Sequence, residues 1–131
     1  MKKTTLLNQP ISSVIAGLGH TDTLVVADAG LPIPPETRRI DLALKAGVPG
    51  FIETLRTVLS EMQVEKAIIA EEMTEVSPQM FAALKVALGD IPIEMVSHLI
   101  FKEMTRNARA VVRTGEFTPY ANVILVSGVT F

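Results

Sequence analysis

The chain has 131 residues, 48% of them hydrophobic, with a formal net charge of −2, two histidines and no cysteine. That length holds one domain with a real core and not two. The mild negative charge, with no basic block, offers nothing to a nucleic acid, and the missing cysteines exclude disulfides, thiolate nucleophiles and thiolate metal sites. The high apolar content fits a sheet buried on both faces, a surface covered by neighbouring subunits, or both. The start of the chain, from Lys2-Lys3 to Pro10, lacks the sustained apolar core of a signal peptide. No apolar run approaches the roughly 20 residues that span a bilayer, so a cytoplasmic location is expected.

In chain order, Ile11, Val14, Ile15 and Leu18 follow Pro10 with helical spacing, and Gly19 suits the exit. Residues 23–28 read as a strand, stopped by the irregular loop that Pro32, Pro34 and Pro35 impose. Arg39 to Leu44 is a short second strand. The stripe Phe51, Ile52, Leu55, Val58, Leu59 and Met62 predicts an amphipathic helix over 49–62. Lys66 to Ala70 is a buried strand ending at Glu71-Glu72. Ser77-Pro78 then supplies an N-cap and a first-turn proline for a helix to Leu88, closed by Gly89. Ile91 to Val96 is a strand, Ser97 caps a helix to about Ala108, and Ala110 to Arg113 and Asn122 to Val126 are the last two strands. Strands alternating with helices predict a three-layer α/β single domain over residues 1–131, with a mixed, largely parallel sheet and helices on both faces. The closing pair of strands, joined by a turn-rich segment, can supply an antiparallel member.

Histidine alone has an unperturbed pKa, about 6.5, that titrates near neutrality, so His20 and His98 are the ordinary carriers of acid–base chemistry. His20 precedes the first strand and Asp28 ends it, where open α/β sheets bind ligands. A strand of that length separates the two by about 20 Å. They can share a site only across a subunit boundary or through a loop that folds back. Taken singly, both also read as turn residues. His98 and Lys102 lie one helical turn apart, and the ammonium disfavours an imidazolium beside it; two solvated residues on a helix face are the plainer reading. Tyr120 and Asn122 precede the last strand and project to one side if the segment is extended there, ready to bond a hydroxyl-bearing ligand or to shape a turn. Glu71 and Glu72 point to opposite faces of a strand and cannot act as a carboxylate pair across one bond. No phosphate-binding glycine loop, serine elbow or paired-histidine metal motif is present, so neither a cofactor nor a metal is expected.

Two long ordered stretches go further. Gly19-His20-Thr21-Asp22-Thr23 with Asp28-Ala29-Gly30-Leu31-Pro32, and Arg113-Thr114-Gly115-Glu116 with Thr118-Pro119-Tyr120-Ala121-Asn122, closely resemble the ribose pyranase and fucose mutarotase family. The likeness runs from Lys2 to Phe131, through Ile68-Ile69-Ala70-Glu71-Glu72 and the closing Ser127-Gly128-Val129-Thr130-Phe131, and is weakest over residues 74–95. After His98, Leu99-Ile100 replaces an acidic pair associated with the family. The resemblance implies interconversion of β-D-ribopyranose and β-D-ribofuranose, supplying the furanose to ribokinase. It also implies a homodecamer of two stacked pentameric rings with sites at subunit boundaries. His20 would be the proton donor, with Asp28, His98, Lys102, Tyr120 and Asn122 holding the sugar. A fucose-type mutarotase and a non-catalytic sugar-binding accessory of a transport system are the alternatives.

Overall fold

The computed structural model describes residues Met1–Phe131. Its central strands, β1 (Thr23–Ala27), β3 (Val64–Ala70), β5 (Ala110–Arg113) and β6 (Val123–Ser127), carry apolar side chains at successive positions. Because strand side chains alternate between faces, each run feeds two cores. Leu24, Val26, Ala67, Ile69, Val112 and Leu125 enter one, while Val25, Ala27, Ile68, Ala70, Val111 and Ile124 enter the other. A sheet buried on both sides explains the apolar composition without invoking a membrane, and no helix is long and apolar enough to cross one.

With β2 (Arg39–Asp41) and β4 (Ile93–Val96) at its edges, the sheet has the order β2-β5-β1-β6-β3-β4. The β2–β5, β5–β1 and β3–β4 pairings are parallel, and β6 runs antiparallel to both β1 and β3. Five strands therefore point one way, with β6 alone reversed near the middle. The mixed, largely parallel sheet is as the sequence predicts. The closing segment does supply an antiparallel member, β6, which pairs with β1 and β3 while β1 separates it from β5.

Helices α1 (Gln9–Gly17), α2 (Phe51–Leu59), the short α3 (Glu72–Val76) and α4 (Pro78–Leu88) serve the larger core through Ile11, Leu55, Val58, Met73, Leu84 and Leu88. Helix α5 (His98–Met104), continued by a 3₁₀ turn at Thr105–Asn107, covers the other face. There only Phe101 and the loop residue Leu31 add fully buried bulk to the strands. The second layer is thinner.

Three local departures from the sequence reading have physical causes. Asn8 caps α1, its side chain accepting the Ile11 N–H at 3.0 Å, so the helix starts before Pro10 and the proline falls in the first turn, where no donor is missed. Helix α3 occupies a stretch with no apolar stripe of its own, anchored by Met73. Ser77 does not cap α4; its hydroxyl donates to the Pro119 carbonyl at 2.6 Å and ties that helix to the Tyr120 loop. Ser97 does cap α5, accepting the Ile100 N–H at 3.3 Å.

Candidate active site

All five parallel strands end at one edge of the sheet, and β6 begins there. Asp28 follows β1, Arg113 closes β5, His98 opens α5 just beyond β4, and Asn122 precedes β6. Together with the Phe117–Tyr120 loop they surround a cavity of about 540 Å³ whose wall includes Asp28, His98, Arg113, Glu116 and Tyr120. That is the carboxyl-end crevice where open α/β sheets bind small ligands.

Asp28 is locked in place. Its backbone N–H donates to Asn122 Oδ1 at 2.8 Å, and Asn122 Nδ2 donates back to Asp28 Oδ2 at 2.9 Å. The Gly30 N–H donates to the other carboxylate oxygen at 2.9 Å. A carboxylate has about four acceptor positions, so lone pairs remain for a ligand hydroxyl. Asn122, only 1% exposed, stands behind Asp28 and is not part of the cavity wall.

His98 is held from both ends. Its backbone N–H donates to the two Glu72 carboxylate oxygens at 3.0 and 3.1 Å. The ring lies nearly parallel to Phe101 and meets Tyr120 edge-on, 5.0 Å between centroids at 85°. Burial, and then the Lys102 charge, push the imidazole below its ordinary pKa despite the nearby carboxylates of Glu72 and Asp28. The ring is therefore neutral at pH 7. Its Nδ1 is buried without a protein partner. Lys102, half-buried one turn along α5, is outside the cavity wall and acts on His98 through its charge. Glu72 is kept below the usual carboxylate range first by the His98 N–H and then by its own.

Tyr120 has φ +62°, so the segment is not extended and the phenol and the Asn122 amide take different directions. One turns toward His98 and the other toward Asp28. The expectation that both reach one side together is corrected by that left-handed residue. Its position is fixed by the loop below it. The Thr114 hydroxyl donates to the Ala27 carbonyl at 2.7 Å, and the Gly115 N–H donates to the Pro49 carbonyl at 2.9 Å. Glu116 accepts the Phe51 N–H at 3.1 Å, supplying α2 with the cap that Gly50 cannot. Its second oxygen accepts from the Thr118 hydroxyl at 2.9 Å. Burial alone would raise the Glu116 carboxyl, but these hydrogen bonds outweigh it and hold it below the ordinary value. Arg113 donates to the Ala29 carbonyl at 3.0 Å and to both Asp41 oxygens at 3.1 Å, bracing the loop after β1 against β2. Reading residues one type at a time misses Arg113 and Glu116. The available signal was two charged residues flanking Thr114-Gly115 just where β5 ends.

His20 lies at the opposite, amino edge. It sits on a Gly19–Asp22 turn in which the Gly19 N–H donates to the Asp22 carboxylate at 2.8 Å and Arg109 bonds the other carboxylate oxygen at 3.0 Å. The Gly19 amide and then Arg109 keep the Asp22 carboxyl low. Thr21 has φ +69°, and for a β-branched residue that is strained backbone, of order 1–3 kcal/mol. Thr21 and Tyr120 are the only non-glycine residues with positive φ, one at each edge. The His20 Nε2 lies 2.8 Å from Glu65 Oε2, above a second cavity of about 430 Å³ that the Val129–Phe131 tail helps to wall. Within one chain the structure does not bring His20 to Asp28; the five residues of β1 alone hold them about 16 Å apart. No three His, Asp or Glu side chains converge to hold a metal ion.

Fold and cavity define a class: a single-domain α/β protein presenting a fixed carboxylate, a neutral imidazole and a phenol to a small polar ligand. The chain belongs to the RbsD / FucU transport protein family, which it matches over residues 1–130. It is 61% identical to the D-ribose pyranase of Chloroflexus aggregans and 59% identical to that of Coprothermobacter proteolyticus, over the full length of both partners in each case. It superposes on Bacillus subtilis RbsD complexed with D-ribose with a TM-score of 0.97, at 47% identity and full coverage of both chains. The fucose mutarotase of Streptococcus pneumoniae, in complex with L-fucose, shares the fold over the whole chain (TM-score 0.85) at 22% identity.

Proposed function

We propose that this chain catalyses the interconversion of β-D-ribopyranose and β-D-ribofuranose. The observation that carries the reading is its unbroken, full-length identity of 61% to a D-ribose pyranase. The site chemistry agrees. Changing ring size needs a proton at the ring oxygen O5 as the C1–O5 bond breaks and loss of a proton from the C1 hydroxyl, giving the open aldehyde. The C4 hydroxyl then adds to C1, and the two protons return. No electron leaves the sugar and no carbon–hydrogen bond breaks. Positioned acid–base groups suffice, contributing about 10²–10⁴-fold to such a step, and a chelator is expected to leave the rate unchanged.

In this reading Asp28, His98 and Tyr120 grip the hydroxyls, with Asn122 and Lys102 supporting Asp28 and His98, and His20 gives and takes the proton. Since one chain keeps His20 and Asp28 at opposite sheet edges, His20 is supplied by a neighbouring subunit. A decamer of two pentameric rings meets that requirement. The location is cytoplasmic, and the furanose passes to ribokinase.

Saturation-transfer NMR tests the activity directly: the protein must exchange the pyranose and furanose anomeric signals of ribose. Binding without exchange would make it a sugar-binding accessory. Faster exchange between L-fucose anomers would make it a fucose-type mutarotase. Mixing His20→Ala and His98→Ala subunits tests the shared site. Partial recovery of activity is expected, and mixed oligomers verified by mass spectrometry yet wholly inactive would contradict it.

A further inference from the structure

We propose that Glu65 is a positioning residue for His20, accepting a hydrogen bond from Nε2–H so that Nδ1 is the nitrogen that exchanges a proton with the sugar. The inference rests on the reading of His20 as proton donor and adds to it the atom and the group that fixes the atom.

Four observations meet at this pair. The His20 Nε2 and Glu65 Oε2 are 2.8 Å apart, hydrogen-bond distance. Glu65 is the extra residue of a β-bulge: Val64 pairs with Ser127 and Lys66 with Val126, leaving Glu65 without its own partner. Bulges re-aim a side chain, and they gather at sheet edges and beside active sites. Gly128 faces the bulge, where any Cβ would come within 3.2 Å of the Glu65 Cβ. The turn presenting His20 is held by a strained threonine, Thr21 at φ +69°. Stability does not explain the arrangement, because the two side chains are 55% and 43% exposed and ion pairs so exposed contribute little. A bulge, a glycine and a strained turn all converge on one weak pair, which points to aim.

The hydrogen bond that one ring nitrogen makes decides what the other can do. With Nε2–H committed to Glu65, neutral His20 has its lone pair on Nδ1. In the forward step the imidazolium Nδ1–H gives its proton to O5 as C1–O5 breaks, and the C1 hydroxyl proton leaves to solvent. On closure the C4 hydroxyl adds to C1 and returns its proton to Nδ1, while O1 regains one from solvent. Protons and charge balance over the cycle.

The experiment pairs a spectroscopic readout with kinetics on the intact oligomer. A long-range proton–nitrogen spectrum of ¹⁵N-histidine-labelled protein should show neutral His20 as the Nε2–H tautomer, whether or not the catalytic reading holds. Glu65→Ala should lower kcat for ring exchange about 10–100-fold, the size of loss seen when the hydrogen-bond partner that orients a metal-bound histidine is removed, with KM for ribose unchanged. Glu65→Gln keeps an acceptor oxygen and should recover most of the rate. In a His20→Ala background, Glu65→Ala should cost nothing further. An Nδ1–H tautomer, a native kcat in Glu65→Ala, or a loss that persists without His20 would each overturn the proposal. Full activity in His20→Ala alone is a different result and would remove the donor reading itself. Should Glu65→Ala fail to fold, the tautomer and the Glu65→Gln rate still decide.

Discussion

At the carboxyl edge of the sheet each cavity-facing group is secured by several partners from its own chain. Asp28 is clamped by Asn122 and Gly30, His98 by Glu72 and two aromatic rings, and the loop beneath them by Thr114, Glu116 and Arg113. At the amino edge the reactive candidate His20 stands more than half exposed, with one surface carboxylate for company. The contrast divides the work. The groups that the proposed reading assigns to the sugar hydroxyls are preorganised inside one chain, where desolvation strengthens their hydrogen bonds. His20, to which the proposed mechanism gives the proton, is presented outward, as a residue contributed to a neighbouring subunit's cavity would be.

The largest expected effect breaks that division at the exposed edge. His20→Ala should lower ribose ring exchange by about 10²–10⁴-fold while ribose still binds, because no carboxyl-edge contact is altered. His98→Ala should do the reverse in kind, weakening binding along with rate. Titrating ribose against each variant by NMR, and measuring exchange in the same samples, separates the two. A His20→Ala protein that exchanges at the native rate would dissolve the contrast.

The next effect is structural and lies under the carboxyl edge. A Cβ on Gly115 would collide with the backbone carbonyls of Lys45 and Val48, neither of which is a flexible side-chain end. Gly115→Ala should therefore destabilise the fold by about 1–3 kcal/mol or more, read as a lower midpoint in urea. Ribose affinity should fall with it, since Gly115 joins Arg113 and Thr114 to Glu116. No comparable change is expected from an alanine at Gly17, where nothing lies within 4 Å.

How much of this was written in the sequence follows the same geography. The strands were legible because Leu24–Ala27, Ala67–Ala70 and Ala110–Val112 are short, apolar on both faces and bounded by breakers. The separation of His20 from Asp28 was legible too, because strand rise is fixed. What local pattern could not give was anything set by a distant partner. Ser77 resembles a cap but bonds Pro119, and Glu72 lies in a short helix and reaches the His98 amide. Tyr120 adopts a left-handed backbone that no propensity favours. The central placement of β6 between β1 and β3 likewise depends on long-range pairing. The roles of Arg113 and Glu116 came through only as part of a longer motif, since each acts on backbone many residues away.

A smaller effect is expected at Thr21. Glycine adopts a positive φ without the β-branched penalty, though it loses more entropy on folding. Thr21→Gly keeps the backbone N–H bond to the Ser127 carbonyl and should raise stability by about 1 kcal/mol, the strain less that entropy. If the strain serves to aim His20, ring exchange should slow in the same variant even as its thermal midpoint rises. A variant stabilised with exchange untouched would show that the turn carries strain without using it.

The smallest effect is a pH dependence that belongs to the carboxyl edge alone. His98 binds a proton less readily in the fold than in the unfolded chain, because burial and the Lys102 charge oppose the imidazolium. Above an ordinary histidine pKa of about 6.5 both states are neutral there and the residue adds no slope. As pH falls through that value the unfolded chain takes up the proton first, so stability declines until the folded pKa is passed. Glu72 and Glu116, both held below their ordinary values, contribute in the same direction lower down, where the unfolded carboxylates protonate before the folded ones. Urea midpoints measured between pH 8 and pH 5 should therefore fall with acidity, and His98→Gln should flatten that first decline while leaving the later carboxylate decline in place. Since Lys102 is the second cause of the shift, Lys102→Met should weaken the decline without abolishing it, because burial of the ring remains. An unchanged slope in His98→Gln would mean that the neutral imidazole at the cavity wall is not set by its surroundings, and the contrast between the two edges would lose its electrostatic half.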